Sequence, residues 1–296
     1  MNYAVKKTIS IFLLILTAVI WGVAFVAQSQ GSDSVGAFTF LASRSFIASA
    51  ALLPVIGVKS LFGTKKKSAQ SSKLLWKGGI LCGIALAVAS VLQQIGIGET
   101  TVGKAGFITA LYIVIVPIIG LFFKKKVSFP LWMGVFLAAV GAYLLCVTGG
   151  FTVSKGDWYV LACAFCFSIQ IMLVDHFAPK VDGIKLACIE FFVCGLVSVV
   201  PALIFEHPTL SSLQSAAMPV LYTGLLSSAV GYTLQIIAQK NVPPALASLI
   251  MSLESVFAAL AGWLLLNQTL SVREMIGCAL MFVAIILAQI NPKKEK

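Results

Sequence analysis

The chain has 296 residues, 59% of them hydrophobic and only 10% charged, with a mean hydropathy of +1.02. That balance excludes a soluble globular domain, which could not cover so much apolar surface, and calls for a polytopic membrane protein. The formal net charge of +11 would suggest nucleic acid in a soluble protein, but the placement of the lysines makes it a topology signal instead, and no nucleic-acid partner is expected.

Ten windows have the length and polarity of spanning helices: 8–27, 35–58, 74–94, 104–123, 129–148, 157–175, 185–205, 217–238, 245–266 and 272–290. With the N-terminus inside, seventeen lysines fall on the cytoplasmic side, against Lys104, Lys155 and Arg273 outside. The positive-inside rule then expects ten spans in the cell membrane with both termini cytoplasmic. The first span could be read as a signal peptide, since Lys6 and Lys7 precede it and Ala27 is a small residue near its end. Its apolar run of about 20 residues, however, exceeds the usual core of about 7 to 15.

Span one carries Trp21 and Gly22, and the loop Gln28–Ser34 is expected outside. Span two holds Arg44 about nine residues from its outer end, roughly 13 to 14 Å deep by helix rise, too deep for easy snorkelling. Lys65–Lys67 follow in the longest cytoplasmic loop, read as a topology anchor able to touch anionic lipid. Span three has Gly79 and Gly83 in small-xxx-small spacing and ends in Gln93 and Gln94; span four brings Tyr112 and Pro117, the latter expected to kink it.

Residues 111–143 align without gaps to 254–286 at an offset of 143, pairing Ser128 with Ser271 and Gly134 with Gly277. LQQIG at Leu92 and LQIIA at Leu234 match at an offset of 142, and AVIW at Ala18 lies on ACAF at Ala162 at 144. The expected fold is therefore all-α, ten transmembrane helices as two five-helix repeats, 1–148 and 149–296. An odd number of spans per repeat inserts the second copy upside down, with a site near the midplane between copies.

In the second half, span six offers Ser168 and Gln170. Span seven offers Glu190, either hydrated or paired with Lys185 near an interface, or part of the pathway. Span eight, with Tyr222, Ser227, Ser228, Gly231, Tyr232 and Gln235, is more polar than a lipid-facing helix requires. Span nine is read as one continuous helix with Glu254 near its middle, where a charge costs about 2.5 to 3.5 kcal/mol on insertion scales. Ala247, Met251, Ala258 and Ala261 share its stripe, continued by Gly262, whereas Leu253, Val256, Leu260, Trp263 and Leu264 lie largely elsewhere, so the carboxylate is expected to face protein.

The seven cysteines all fall inside predicted spans, and the Cys163–Cys166 pair lacks histidine partners, so neither a disulfide framework nor a metal site is expected. His176 and His207 sit at helix ends. No nucleophile-base-acid grouping, phosphate-cradling loop or soluble catalytic domain is visible, which argues against an integral-membrane enzyme and against a cofactor. A structural membrane protein without flux is the other alternative.

LESVFAALAGWLLLNQTLS, with IWGVAF at Ile20, SRSF around Arg44 and IGCALMFVAIILA from Ile276, resembles the ten-helix EamA-type branch of the drug/metabolite transporter superfamily over essentially the whole chain. Two departures are visible: Ser255 stands where LEPVF is common, and Asn267 and Gln268 where GE is common. The resemblance implies a central cavity between repeats with alternating access and export of amino acids or other small metabolites. Its implied lining is Trp21, Gln93 or Gln94, Tyr112, Gln170, Tyr232, Gln235 and Glu254. Arg44 and Glu254, from opposite halves, could pair directly; alternatively Arg44 receives a substrate carboxylate while Glu254 receives an amine or a coupling proton. Oligomeric state, substrate identity and direction stay open.

Overall fold

The computed structural model describes residues 3–62, 72–100, 102–147, 153–266 and 270–289; Lys65–Lys67, Asn267 and Gln268 lie outside them. Helix α1 spans Tyr3–Ser32, α2 Ala37–Phe62 and α3 Ser72–Glu99. The fourth span is broken into α4, Val102–Ala110, and α5, Tyr112–Phe122; α6, Phe129–Cys146, closes the first repeat. In the second repeat α7 covers Lys155–Phe177, and α8, Gly183–Pro201, runs on into a π-helical turn, Ala202–Glu206. After the short α9, Leu210–Ser215, the eighth span comprises α10, Ala217–Tyr222, a π-helical segment, Thr223–Tyr232, and α11, Thr233–Ala238. The ninth is α12, Pro244–Met251, and α13, Glu254–Leu266; α14 is Val272–Gln289. Among the described residues nine stretches are long and apolar enough to cross a membrane, and α6 is a shorter apolar helix that makes the tenth span.

The repeats are inverted, and two helix pairs show it. At the end of α2 the Lys59 ammonium pairs with Asp182 at 2.6 Å, while Asp182 caps the start of α8 by accepting from the Ile184 and Lys185 amides. At the other end, Glu206 beyond α8 accepts from the Phe38 and Thr39 amides in the first turn of α2, at 3.0 and 2.7 Å. The second helices of the two repeats thus run antiparallel, each helix N-terminus meeting a carboxylate. The fifth helices, α6 and α14, cross on glycine. A Cβ on Gly277 would lie 2.6 Å from the Gly141 carbonyl, and one on Gly134 would lie 2.8 Å from that of Ala284. Gly134 is the repeat mate of Gly277, and Ala284 that of Gly141, so the two contacts exchange under the repeat symmetry.

The continuous ninth helix expected from the sequence is not formed; Ser252 and Leu253 interrupt it. The fourth span breaks at Leu111, about a turn and a half before Pro117, consistent with the backbone distortion a proline imposes on the preceding turn. By the 143-residue offset Leu111 corresponds to Glu254, so the two breaks fall within two residues of each other in the repeat. Leu253 and Val256, expected off the protein-facing stripe, are buried, because α12 and the start of α13 are surrounded by helices on all sides; Trp263 and Leu264 do face outward.

Among the described residues the apolar core has two large clusters and two small ones, the small ones around Phe25 and Phe40; the large ones flank the site. One gathers Ile113, Val116, Leu249, Ile250, Met251 and Met281; the other gathers Leu86, Leu186, Phe191 and Ile236. Polar side chains occupy the space between, and Trp21 packs against both clusters.

Candidate functional site

Between these clusters lies a cavity of about 30 Å³. That holds a water or two and falls far short of the few hundred Å³ of a metabolite pocket, so the helices are closed around it. Trp21 and Gln28 reach it from α1, Arg44 from α2, Gln93 from α3, Thr109 from α4 and Tyr112 from α5. Gln170 comes from α7, Ser227 and Tyr232 from the π segment, Gln235 from α11 and Glu254 from α13. Both repeats therefore contribute polar groups to one small space.

The two helix breaks meet at one hydrogen bond. Tyr112, the first residue of α5, donates from its hydroxyl to Glu254 Oε1 at 2.9 Å, and Glu254 is the first residue of α13. Breaking the ninth span converts a mid-helix carboxylate into one at a helix N-terminus, where the unsatisfied amides favour negative charge. Gly22 lets α1 approach here: a Cβ would sit 2.6 Å from Phe257 Cβ and 2.7 Å from the Ala258 nitrogen. Ser255, one of the departures from the resembled motif, donates to the Gly106 carbonyl at 3.3 Å and joins α13 to α4.

Arg44 is only 4% exposed. Its Nη1 donates to Gln28 Oε1 at 3.3 Å and its guanidinium lies 5.9 Å from the Phe40 ring centroid. Among the described residues no carboxylate is within ion-pair distance of it, and its Nε has no partner. The direct Arg44–Glu254 pair, one of the two arrangements left open above, is not formed.

Trp21 and Tyr232 form an aromatic wall, with ring centroids 4.6 Å apart, and Phe191 supports Tyr232 at 5.3 Å. The wider turns of the π segment leave carbonyls open to side chains. Trp21 Nε1 donates to the Ser227 carbonyl at 3.2 Å, and Thr17 Oγ1 to that of Gly231 at 3.3 Å.

Two of the ten residues singled out from the sequence do not line the cavity. Gln94 turns back to α1, donating to the Gln28 carbonyl at 2.9 Å and to Ser32 Oγ at 2.7 Å. Glu190 is completely buried, and Gln170 Nε2 donates to its Oε1 at 2.8 Å. The interfacial Glu190–Lys185 pair is thereby corrected: residues five apart lie about 140° apart around a helix, and Glu190 points inward instead. The line continues as Gln235 Nε2 donates to Gln170 Oε1 at 3.4 Å and to Gln239 Oε1 at 2.9 Å.

Gln28 and Thr109 also line the cavity and were missed. The apolar window for span one stops at Ala27, so Gln28 reads as loop, yet α1 continues to Ser32 because its polar end is packed against α2 and α3. Thr109 accepts from Gln93 Nε2 at 3.4 Å. A lone threonine in an apolar run carries no signal of its own.

The comparisons agree with this architecture. The model of the EamA-like transporter family matches twice, at residues 8–147 and 154–289. An uncharacterized transporter of Archaeoglobus fulgidus is 30% identical over 293 residues, covering 97% of this chain and 88% of the relative. A probable terminal-alkyne amino-acid exporter of Streptantibioticus cattleyicolor is 26% identical over 231 residues, 77% of this chain and 75% of the relative. A solved protein crystal structure superposes with a TM-score of 0.78 at 17% identity, covering 95% of this chain and 98% of that one, a likeness of fold. With two family domains filling a ten-helix inverted-repeat bundle, the chain belongs to the EamA-like transporter family, within the drug/metabolite transporter superfamily.

Proposed function

We propose that this protein is a secondary transporter that exports amino acids or related small polar metabolites across the cell membrane by alternating access, with both termini in the cytoplasm. The observation that carries this reading is the presence of two opposite charges, unpaired with each other, on the wall of one small cavity and from opposite repeats: among the described residues Arg44 has an uncommitted Nε, and Glu254 is bound by the Tyr112 hydroxyl alone. An amino acid brings a carboxylate for Arg44, which can accept two parallel N–H bonds, and an ammonium for Glu254. Trp21 and Tyr232 supply an apolar wall, and Gln93, Gln170 and Gln235 supply donors and acceptors that fix orientation.

A cavity of about 30 Å³ admits such a solute only after the bundle opens. Residues 1–148 and 149–296 act as the moving units, rocking about the paired helix breaks. The relative described as a probable amino-acid exporter supports the substrate class and the direction. The lysine-rich ends of α2, α5 and α8 set the orientation.

Counterflow in proteoliposomes tests this. Vesicles preloaded with a mixed pool of amino acids and small metabolites should take up labelled members in the wild type. Glu254→Gln and Arg44→Gln should each cut that uptake by about tenfold or more, roughly 1.4 kcal/mol, while the purified proteins stay folded and monodisperse. Unchanged rates and unchanged pH dependence in both variants would remove the reading.

A further inference from the structure

The bundle contains a second buried carboxylate that the substrate cavity does not use. Glu190 is 0% exposed, yet no basic side chain lies within ion-pair distance among the described residues. Gln170 Nε2 holds Oε1 at 2.8 Å, and among the described residues Oε2 has no hydrogen-bond partner. Around it the chain is built for close approach: a Cβ on Gly83 of α3 would lie 2.7 Å from the Glu190 carbonyl, which brings α3 against α8 at this level. The titratable groups that face it are Cys82 from α3, Cys194 one turn further along α8, and Tyr232 from the π segment; α7 presents the neutral Gln170. Arg44, on α2, neighbours Cys194 and Tyr232 and bonds Gln28 instead.

We infer that Glu190 is a second cation site, for a proton, built beside the substrate cavity and joined to it through the side chains of Gln170 and Gln235. A carboxylate taken fully out of water without a counter-charge is far costlier than a neutral acid, so the closed bundle has to receive it with a cation on it. The proton adds to Oε2 from the aqueous side to which the bundle is open and leaves to the opposite side after closure and reopening.

The coupling follows from shared amides. Gln170 and Gln235 both line the cavity, and Gln235 Oε1, itself buried, has no partner among the described residues. A carboxylate accepts more strongly than a carboxylic acid, so the protonation state of Glu190 changes how firmly it holds the Gln170 amide, which bonds it at 2.8 Å in the closed bundle, and with it the set of amides offered to a solute. Loading of the proton and loading of the solute are thereby linked without the two sharing a ligand. Glu254 is left to contact the solute. The inference rests on the transport reading above.

The test is a pH gradient imposed across proteoliposomes, following uptake of labelled members of the same mixed amino-acid pool together with a trapped pH dye. Wild type should accumulate solute in the sense set by the gradient and move protons as it does so. Glu190→Gln should lower gradient-driven accumulation by about tenfold or more and flatten the pH dependence of the uptake that remains. Glu190→Asp, which keeps a titratable carboxyl one methylene shorter, should restore gradient-driven accumulation and proton movement. Accumulation by Glu190→Gln equal to wild type overturns the proposal. So does failure of Glu190→Asp in protein that is folded by size-exclusion chromatography, since the side chain would then act by its shape. Accumulation driven by a sodium gradient and not by pH overturns the proton assignment. If wild type shows no counterflow at all, the transport reading falls first, and that outcome is distinguishable from a wild type that exchanges solute but ignores pH.

Discussion

The Tyr112 hydroxyl is the hydrogen-bond donor that the Glu254 side chain has among the described residues. Tyr112→Phe removes that donor while leaving the ring packed, so the carboxylate loses its partner inside the bundle. Leaving such a group unsatisfied costs about 1 to 3 kcal/mol. The melting temperature in detergent should fall accordingly, and uptake in the counterflow assay should fall with it; no change in either would show the bond to be idle. Trp21→Phe is a milder change, since it keeps an aromatic face on Tyr232 and loses the indole donor to the Ser227 carbonyl. A cost of about 1 kcal/mol is expected in thermal melts, with the π segment the part affected. Both groups were singled out from the sequence as polar or amphipathic residues in apolar spans, but nothing local shows that Tyr112 bonds Glu254 across 142 positions.

At the level of helices, close crossings depend on missing side chains. Val in place of Gly277 would push its Cβ to within 2.6 Å of the Gly141 carbonyl and 2.7 Å of the Leu145 nitrogen, both backbone atoms that cannot swing aside. Gly277→Val should therefore part α6 from α14 and sharply lower the yield of monodisperse protein, whereas Gly57→Ala, with nothing within 4 Å of the added carbon, should leave that yield unchanged. The pairing of α2 with α8 is expected to weaken in acid. Burial works against the charge on Asp182, but the Lys59 ammonium and the amides of Lys185 and Ile184 more than offset it, holding the carboxyl below its ordinary value of 3.8. A carboxyl whose value is lowered by folding stabilises the fold above its unfolded value, and that contribution is lost as pH falls through the lower folded one. Asp182→Asn should thus melt earlier than wild type at neutral pH, and the gap should close as the pH drops below about 4. A gap that is constant across that window would mean the charge on Asp182 contributes nothing.

For the whole molecule, the ion pairs among the described residues join opposite halves of the chain. Lys59–Asp182 and Lys125–Asp175 lie at the lysine-rich end, and Lys104–Asp157 lies at the other. Each end of the bundle therefore has at least one ion pair between the two halves. If the halves rock, a reducible cross-link between cysteines placed at 59 and 182 should stop counterflow, and cleaving it should restore flux. Flux through the cross-linked protein would rule out movement at that end. The proposed orientation, with both termini in the cytoplasm, predicts that a green fluorescent protein fused at the C-terminus fluoresces; a dark fusion in well-expressed protein would overturn it.

Membrane class, number of spans and the five-helix repeat follow from local quantities: apolar run length, lysine placement and a 143-residue offset each involve residues near one another in sequence or related by a fixed shift. Those determined most of the architecture; eight of the residues that line the cavity came instead from polar groups noted within the spans and from the lining the family resemblance implies. What tertiary structure alone decided is how those groups are partnered. Hydropathy treats a span as a uniform cylinder, so it cannot show that the ninth breaks at Ser252 and Leu253, or that α1 runs past its apolar window to deliver Gln28 to Arg44. Nor can it show that Glu190, a few residues from a polar loop, turns inward to Gln170. A buried polar group takes whichever partner the packing of distant helices brings within about 3 Å, and that distance is a property of the assembled bundle, not of any single segment.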